Sequence, residues 1–308
     1  MVDRPNWERD GRDWPNREHS RFVTAAGLRW HVQVAGDGPD LLLLHGTAAA
    51  THSWRDMLPL LAPHVRVIAP DLPGHGFTDL PPAQRLSLPG MAASVAALLQ
   101  AMQVRPVLVA GHSAGAAVAL RLALDGRIAP EAVVAFNGAL QPLGDRHAAF
   151  FTRAARMLAG LPFVPNLMAW RASNRAVAER LLMDTGSRIS ARGVDLYARL
   201  FRHTSHVAAA LGMMANWDLQ PLLRDLPRLQ PALVLAVGTN DRSVPPAQAE
   251  RVRARLPAAR IVKLQGLGHL AHEEQPQQAV DLLLAEIRAF EATSISPSVS
   301  ELPYSRTG

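Results

Sequence analysis

The 308-residue sequence contains no cysteine. That absence removes disulfides, thiolate nucleophiles and Cys-ligated zinc or iron–sulfur centres from consideration. Lysine is almost as scarce: Lys263 is the only one, and every other basic side chain apart from histidine is arginine. A phosphate-cradling P-loop needs Gly-Lys-Ser/Thr, and no glycine-rich stretch in that register surrounds Lys263. Long apolar runs are also missing. The longest quiet stretch, Val107 to Leu120, is broken by His112 and Ser113 and closed by Arg121. A membrane-spanning helix needs about 18 uninterrupted apolar residues. The opening Met1-Val2-Asp3-Arg4-Pro5-Asn6-Trp7-Glu8 lacks the apolar core of a secretory signal, so a cytoplasmic location is expected. The net charge is +6, but the arginines fall singly rather than in runs. No nucleic-acid partner is expected on that pattern.

What is present suits a soluble globular protein. Hydrophobic residues make up 48% of the chain and charged residues 19%, enough for one large core and an inserted subdomain. Short apolar runs recur at Leu28–Val34, Leu41–Leu44, Val65–Ala69, Val107–Ala110, Ala132–Phe136, Leu233–Val237 and Ile261–Leu264. The central ones are apolar throughout instead of alternating, as parallel strands covered on both faces must be. Between them, Trp54–Leu61, Met91–Met102, Ala114–Leu124, Pro246–Leu256 and Pro276–Phe290 carry helical periodicity. This alternation predicts a doubly wound α/β sheet, with an antiparallel hairpin at its edge around Ala26-Gly27.

The alternation stops between about Gln141 and Arg228. Helical patterns follow one another there, at His147–Ala159, Pro165–Ala172, Arg175–Met183 and Gly193–Asn216. A helical block between two strands reads as a cap over the C-terminal edge of the sheet, where open α/β sheets bind ligands. The expected division is an N-terminal extension over 1–21, a core over 22–140 and 229–290, a cap over 141–228, and a Ser/Thr/Pro-rich disordered tail over 291–308.

The chemistry-bearing residues lie at strand ends. Gly111-His112-Ser113-Ala114-Gly115 directly follows an apolar strand and opens an alanine-rich helix, which is the strand–turn–helix setting of a nucleophile elbow. A serine hydroxyl needs a base to take its proton, and that base needs a carboxylate behind it. Asp241 follows its strand through Gly238-Thr239-Asn240, and His269 follows the next through Gln265-Gly266-Leu267-Gly268. Ser113, Asp241 and His269 therefore form the expected triad, in the chain order Ser…Asp…His. The backbone N–H groups of Thr47, after His45-Gly46, and of Ala114 are the expected oxyanion donors. His45 and the stretch Asp71-Leu72-Pro73-Gly74-His75-Gly76 read as structural turns. His203/His206 and His269/His272 have ligand-like spacing but no third ligand, so no metal is expected. The expected acyl-transfer chemistry needs no cofactor.

His45-Gly46, Asp71 to Gly76, the elbow, Asp241 and Gly268-His269 with Glu274 and Pro276 together resemble the α/β-hydrolase superfamily over about Phe22 to Phe290. The resemblance implies a mostly parallel sheet of eight strands, a cap inserted after the sixth, and the triad and oxyanion roles above. It also separates relatives. Haloalkane dehalogenases and epoxide hydrolases attack with aspartate where this chain has Ser113. Epoxide hydrolases also use cap tyrosines, and Tyr197 is the only one here. Ring-cleavage C–C hydrolases carry Trp after the catalytic histidine where this chain has Leu270.

A narrower resemblance, to the BchO-type accessory proteins of magnesium chelatase, is carried by Asp13-Trp14-Pro15-Asn16-Arg17-Glu18, by Gly27 to Gln33 and by His45-Gly46-Thr47 with Thr51-His52-Ser53-Trp54-Arg55-Asp56. It implies a role in bacteriochlorophyll biosynthesis near magnesium insertion into protoporphyrin, without implying a reaction.

Two readings remain open. One is a serine hydrolase of an ester or related carbonyl with a small apolar or porphyrin-like substrate. The other is a non-catalytic accessory protein that holds a porphyrin or a magnesium-chelatase subunit. Phe151, Met168, Trp170, Met214 and Trp217 are the expected cap-side binding residues, within an apolar inventory that also includes Phe150, Phe163, Phe201 and Met213. Arg153, Arg156 and Arg171 are candidate partners for propionates. For most of these aromatics, packing of cap against core is the simpler role. Membrane contact would be at most peripheral, through Leu161-Pro162-Phe163-Val164-Pro165.

Overall fold

The computed structural model describes residues 3–142, 164–172 and 174–294. A short helix, α1 (Trp7–Asp10), precedes the sheet. Strands β1 (Ser20–Ala25) and β2 (Leu28–Ala35) form the expected antiparallel hairpin. They are followed by β3 (Asp40–Leu44), α2 (Leu58–Leu61), β4 (Arg66–Pro70), α3 (Leu88–Ala101), β5 (Leu108–His112), α4 (Ala114–Leu124) and β6 (Ala132–Phe136). The segment between β6 and β7, expected to be the cap, contributes α5 (Val164–Ala172), α6 (Arg175–Asp184), α7 (Ala191–Phe201), α8 (Thr204–Ala215) and α9 (Gln220–Asp225). The chain then returns through β7 (Ala232–Gly238), α10 (Ala247–Arg255), β8 (Arg260–Leu264), α11 (Ala271–Glu274) and α12 (Pro276–Ser294).

The eight strands lie in the order β1-β2-β4-β3-β5-β6-β7-β8. β2 meets β4 antiparallel, and every pairing from β4 through β3 to β8 is parallel. β3, β5 and β6 are buried along their whole length, which explains their unbroken apolar sequences. Successive side chains alternate between faces. Leu42 and Leu44 join the core formed with α3 and α4, whereas Leu41 and Leu43 join the one formed with α2 and α12.

Helix α4 approaches the sheet closely because glycine stands where any side chain would collide. A Cβ on Gly115 would lie 2.1 Å from the Leu44 carbonyl oxygen, and one on Gly111 would lie 2.5 Å from Ala116 Cα.

Three segments differ from expectation. The pattern over Trp54–Leu61 resolves into a 3-10 turn, Thr51–Trp54, and the single-turn α2. The pattern over Gly193–Asn216 is two helices, not one, broken where His203 adopts an extended backbone. The N-terminal segment docks at that break. The Asp3 carbonyl accepts the Ser205 N–H at 3.0 Å, and His203 reaches the carboxylates of Asp3 and Asp10. The last helix runs to Ser294, past the start expected for the tail, and residues 295–308 lie outside the described residues. The helical pattern at His147–Ala159 lies outside them too. No helix among the described residues is long and apolar enough to cross a membrane.

Gly115→Ala should destabilise the fold by about 1–3 kcal/mol, the usual cost of forcing extra volume into a filled site. The effect should appear as a lower urea midpoint at unchanged m-value. A midpoint equal to that of the unaltered protein would show that α4 can move away from β3 without penalty.

Candidate active site

Ser113 sits between β5 and α4 with φ 51° and ψ −117°, a left-handed conformation that a side-chain-bearing residue holds only under constraint. The constraint is visible. Its N–H donates to the Phe136 carbonyl at 3.0 Å, and its own carbonyl accepts from Ala116 and Ala139. The side chain is half-buried. Gly46 packs against it, since a Cβ there would lie 3.1 Å from Ser113 Cβ and 2.7 Å from His112 Nδ1.

Asp241 and His269 meet behind the elbow. Asp241 Oδ2 lies 2.8 Å from His269 Nδ1. The same oxygen accepts from Asn137 Nδ2 at 2.7 Å, and Oδ1 accepts the N–H groups of Ser243 and Val244 at 2.8 Å each. All four of these groups donate to the carboxylate. The proton on His269 is thereby placed on Nδ1 and its Nε2 is left as the base. His112 Nε2–H donates to the His269 carbonyl at 2.9 Å, and the two rings lie 4.8 Å apart. The residue preceding the serine thus anchors the histidine loop.

Asn137 was not among the residues expected from sequence. It follows β6 directly with φ 47°, a conformation that Asn tolerates better than most residues. An Asn-Gly pair leaving a central strand at the sheet's C-terminal edge was the available signal.

The expected oxyanion donors are Thr47 and Ala114. Ala114 opens α4, where an N–H has no acceptor within the helix. The Thr47 N–H has no acceptor among the described residues. Its peptide plane is set from the other side. The Gly46 carbonyl belongs to the same peptide unit and accepts from His45 Nδ1–H at 2.8 Å and from the Ala49 N–H at 3.2 Å. His45 Nε2 accepts the Leu72 N–H at 2.8 Å, tying this loop to the turn at Asp71. Asp71 in turn accepts from His31 Nδ1–H and from the N–H groups of Thr51 and Phe77. Burial alone would raise its pKa, yet His31 and these donors hold it well below the carboxylate range.

The cap reaches all of these loops. Thr185 accepts the Arg242 N–H at 3.0 Å, beside Asp241. Ser187 Oγ accepts the Leu270 N–H at 2.8 Å, beside His269. Tyr197 OH donates to Glu273, which is buried against Arg55 and Ser53. Thr47 Oγ1–H donates to Met213 Sδ at 3.4 Å.

Of the expected cap residues, Phe151 lies outside the described residues, as do Phe150, Phe163, Arg153 and Arg156. Met168, Trp170 and Met214 face outward, at 43%, 74% and 46% exposure. Helix α5 turns Ala169 inward onto Val207 and Leu211 of α8, which leaves Met168 and Trp170 on its outer side. On α8 the adjacent Met213 is fully buried against the site, so the next residue, about 100° round the helix, points away. Trp217 is half-buried and packs on the α3–α4 core.

The comparisons bear on this geometry. A model of the alpha/beta hydrolase family matches residues 41–282. The chain belongs to the α/β-hydrolase family. The chain is 40% identical over 263 residues to the magnesium-chelatase 30 kDa subunit of Rhodobacter capsulatus, covering 85% of this chain and 92% of that protein. It is 31% identical over 285 residues to a pimeloyl-[acyl-carrier protein] methyl ester esterase of Xanthomonas campestris, covering 83% and 99%. Among solved structures, the epoxide hydrolase CorEH superposes with a TM-score of 0.74 at 23% identity, covering 88% of this chain and 99% of that one. That last likeness is one of α/β-hydrolase fold alone.

Buried imidazoles surround the site of this α/β-hydrolase. Burial lowers the pKa of His45, His52, His75 and His112, and brings His206 to about 4 and His272 to about 3. Such groups bind a proton more readily in the unfolded chain. Their stabilising contribution is complete above the ordinary histidine value of 6.5 and is lost as pH falls toward 4 for His206 and 3 for His272. The thermal midpoint should therefore drop steeply between pH 6.5 and pH 4. A midpoint constant across that window would mean that these rings are not protonated on unfolding.

Proposed function

We propose that this protein is a serine hydrolase of an ester or related carbonyl that acts in bacteriochlorophyll biosynthesis near the magnesium-insertion step. The observation that carries the catalytic part is the 2.8 Å contact between Asp241 and His269 Nδ1 behind the constrained backbone of Ser113. In this reading residues 22–140 and 229–290 form the hydrolytic core and 141–228 the substrate-covering cap, and the protein works in the cytoplasm.

Ser113 Oγ attacks the carbonyl carbon while His269 Nε2 takes its proton. Asp241 stabilises the imidazolium, with Asn137 and two backbone N–H groups restraining the carboxylate. The N–H groups of Thr47 and Ala114 bind the oxyanion. As the tetrahedral intermediate collapses, His269 returns the proton to the leaving alkoxide. Water, activated by the same imidazole, then releases the acid and restores Ser113. The ester-cleaving relative from Xanthomonas campestris supports the reaction class. The pathway part draws on the 40% identity to a protein named as a subunit of magnesium chelatase.

That same name favours a second reading, in which the chain holds a porphyrin or a chelatase subunit and Ser113 is not used. Partial burial of Trp217 at the edge of the cap gives a reporter for it.

Incubation with a fluorophosphonate probe should label Ser113 in the unaltered protein and leave Ser113→Ala unlabelled. Asp241→Asn should slow labelling by about 10⁴-fold, because the imidazole then loses the tautomer it needs. A folded protein that takes no label would sink the hydrolase reading. Bacteriochlorophyll synthesis surviving in a Ser113→Ala strain, together with saturable quenching of Trp fluorescence by protoporphyrin, would establish the accessory reading in its place.

A further inference from the structure

The loop carrying the Thr47 N–H is pinned on both sides, and one of the pins comes from the cap. Ala48 has φ 64°, a left-handed conformation that is unfavourable for an alanine and persists only when its surroundings enforce it. The Ala48 carbonyl accepts from His206 Nε2–H at 3.1 Å. His206 lies in the first turn of α8 and is fully buried. Its other nitrogen, Nδ1, accepts the Gly76 N–H at 3.1 Å. The tautomer follows from the partners, since a carbonyl can only accept and a backbone N–H can only donate. One imidazole therefore bridges the oxyanion loop and the Asp71 to Thr78 turn, which His45 also joins from the core side through the Leu72 N–H.

We infer that His206 is a positioning residue for the oxyanion site: through its bond to the Ala48 carbonyl, the cap holds the peptide at Thr47 in the orientation that aims its N–H at the developing oxyanion. This deepens the serine-hydrolase reading and rests on it. Thr47 Oγ1 and Met213 Sδ provide a second contact between the same loop and the same helix, two turns further along α8. The helix that covers the substrate therefore sets the catalytic donor as well. His75 stacks edge-on against His206, with centroids 5.3 Å apart, and Phe201 lies 6.3 Å away. The ring is locked in place without further polar partners.

Two near-isosteres separate the two bonds of this imidazole. The amide of His206→Gln reaches as far as Nε2 and can keep the Ala48 contact. The shorter amide of His206→Asn reaches only as far as Nδ1 and can keep the Gly76 contact. The measurements are the second-order rate of Ser113 labelling by a fluorophosphonate and the deuterium uptake of the backbone amides from His45 to Thr51. Both are made on variants whose circular dichroism and thermal midpoint show them folded. His206→Asn should label at least about tenfold more slowly, and its loop should exchange faster, as misplacement of a transition-state donor requires. His206→Gln should stay within about threefold of the unaltered rate, with the loop protected. His206→Ala should resemble the Asn variant. Equal behaviour of Gln and Asn, or protection retained by Asn and lost by Gln, would overturn the inference. If the unaltered protein itself takes no label, the hydrolase reading fails, and the uptake comparison still decides whether His206 holds the loop.

Discussion

The structure depends on how closely α4 approaches β3 and β5. Only because residues 111 and 115 lack a Cβ can the chain turn from β5 into α4 within one residue. That turn forces Ser113 to φ 51°. The strain, of order 1–3 kcal/mol for a residue in this region, is offset by backbone hydrogen bonds to Phe136, Ala116 and Ala139. Placing Ser113 this way brings Gly46 against it on one side and Asn137, the residue directly after β6, on another. The loops that carry Thr47 and Asn137 take their positions from the same tight junction. A local packing requirement at two glycines thus propagates into the geometry of three loops that are distant in sequence.

The parts legible in sequence were those governed by local or periodic signals. The apolar runs at Leu41–Leu44 and Ala132–Phe136 read as doubly covered strands because such strands have no polar face to disguise them. The elbow read as one because its glycines and alanines sit between a strand and a helix. Asp241 and His269 read as partners because each leaves a strand at the same edge of the sheet. What could not be read was set by partners far along the chain. The break at His203 coincides with its contact to Asp3, about 200 residues away. Met213 and Met214 are indistinguishable as letters, and only the docking angle of α8 turns the first toward Thr47. Asn137 had a readable position but not a readable role, since its partner Asp241 is 104 residues distant.

The cap of this α/β-hydrolase is wired to the core by polar contacts as well as apolar packing. Thr185, Ser187, Tyr197, His206 and Met213 each touch a loop that carries, or adjoins, a residue of the site. The buried imidazole of His206 suits this wiring because a neutral ring offers one donor and one acceptor at fixed separation, and so can join two backbone groups without burying a charge. Arginine, the dominant cation of the sequence, serves a different purpose. Asp13 is held well below the carboxylate range by Arg199 and Arg192 of α7, so the N-terminal segment is bound to the cap by ion pairs at the rim.

The Asp13–Arg199 pair joins groups 186 residues apart. During synthesis the amino end emerges first but finds its binding surface only after the ribosome has made nearly two-thirds of the chain. Trp7 and Trp14, whose neighbours include Phe77, Leu196 and Leu200, must spend that interval without their final cover. Contacts of such long separation close late, because loop entropy has to be overcome before they return any stabilisation. The docking of this segment onto α7 is therefore among the last contacts of the molecule to close, although its residues precede α7 in the chain.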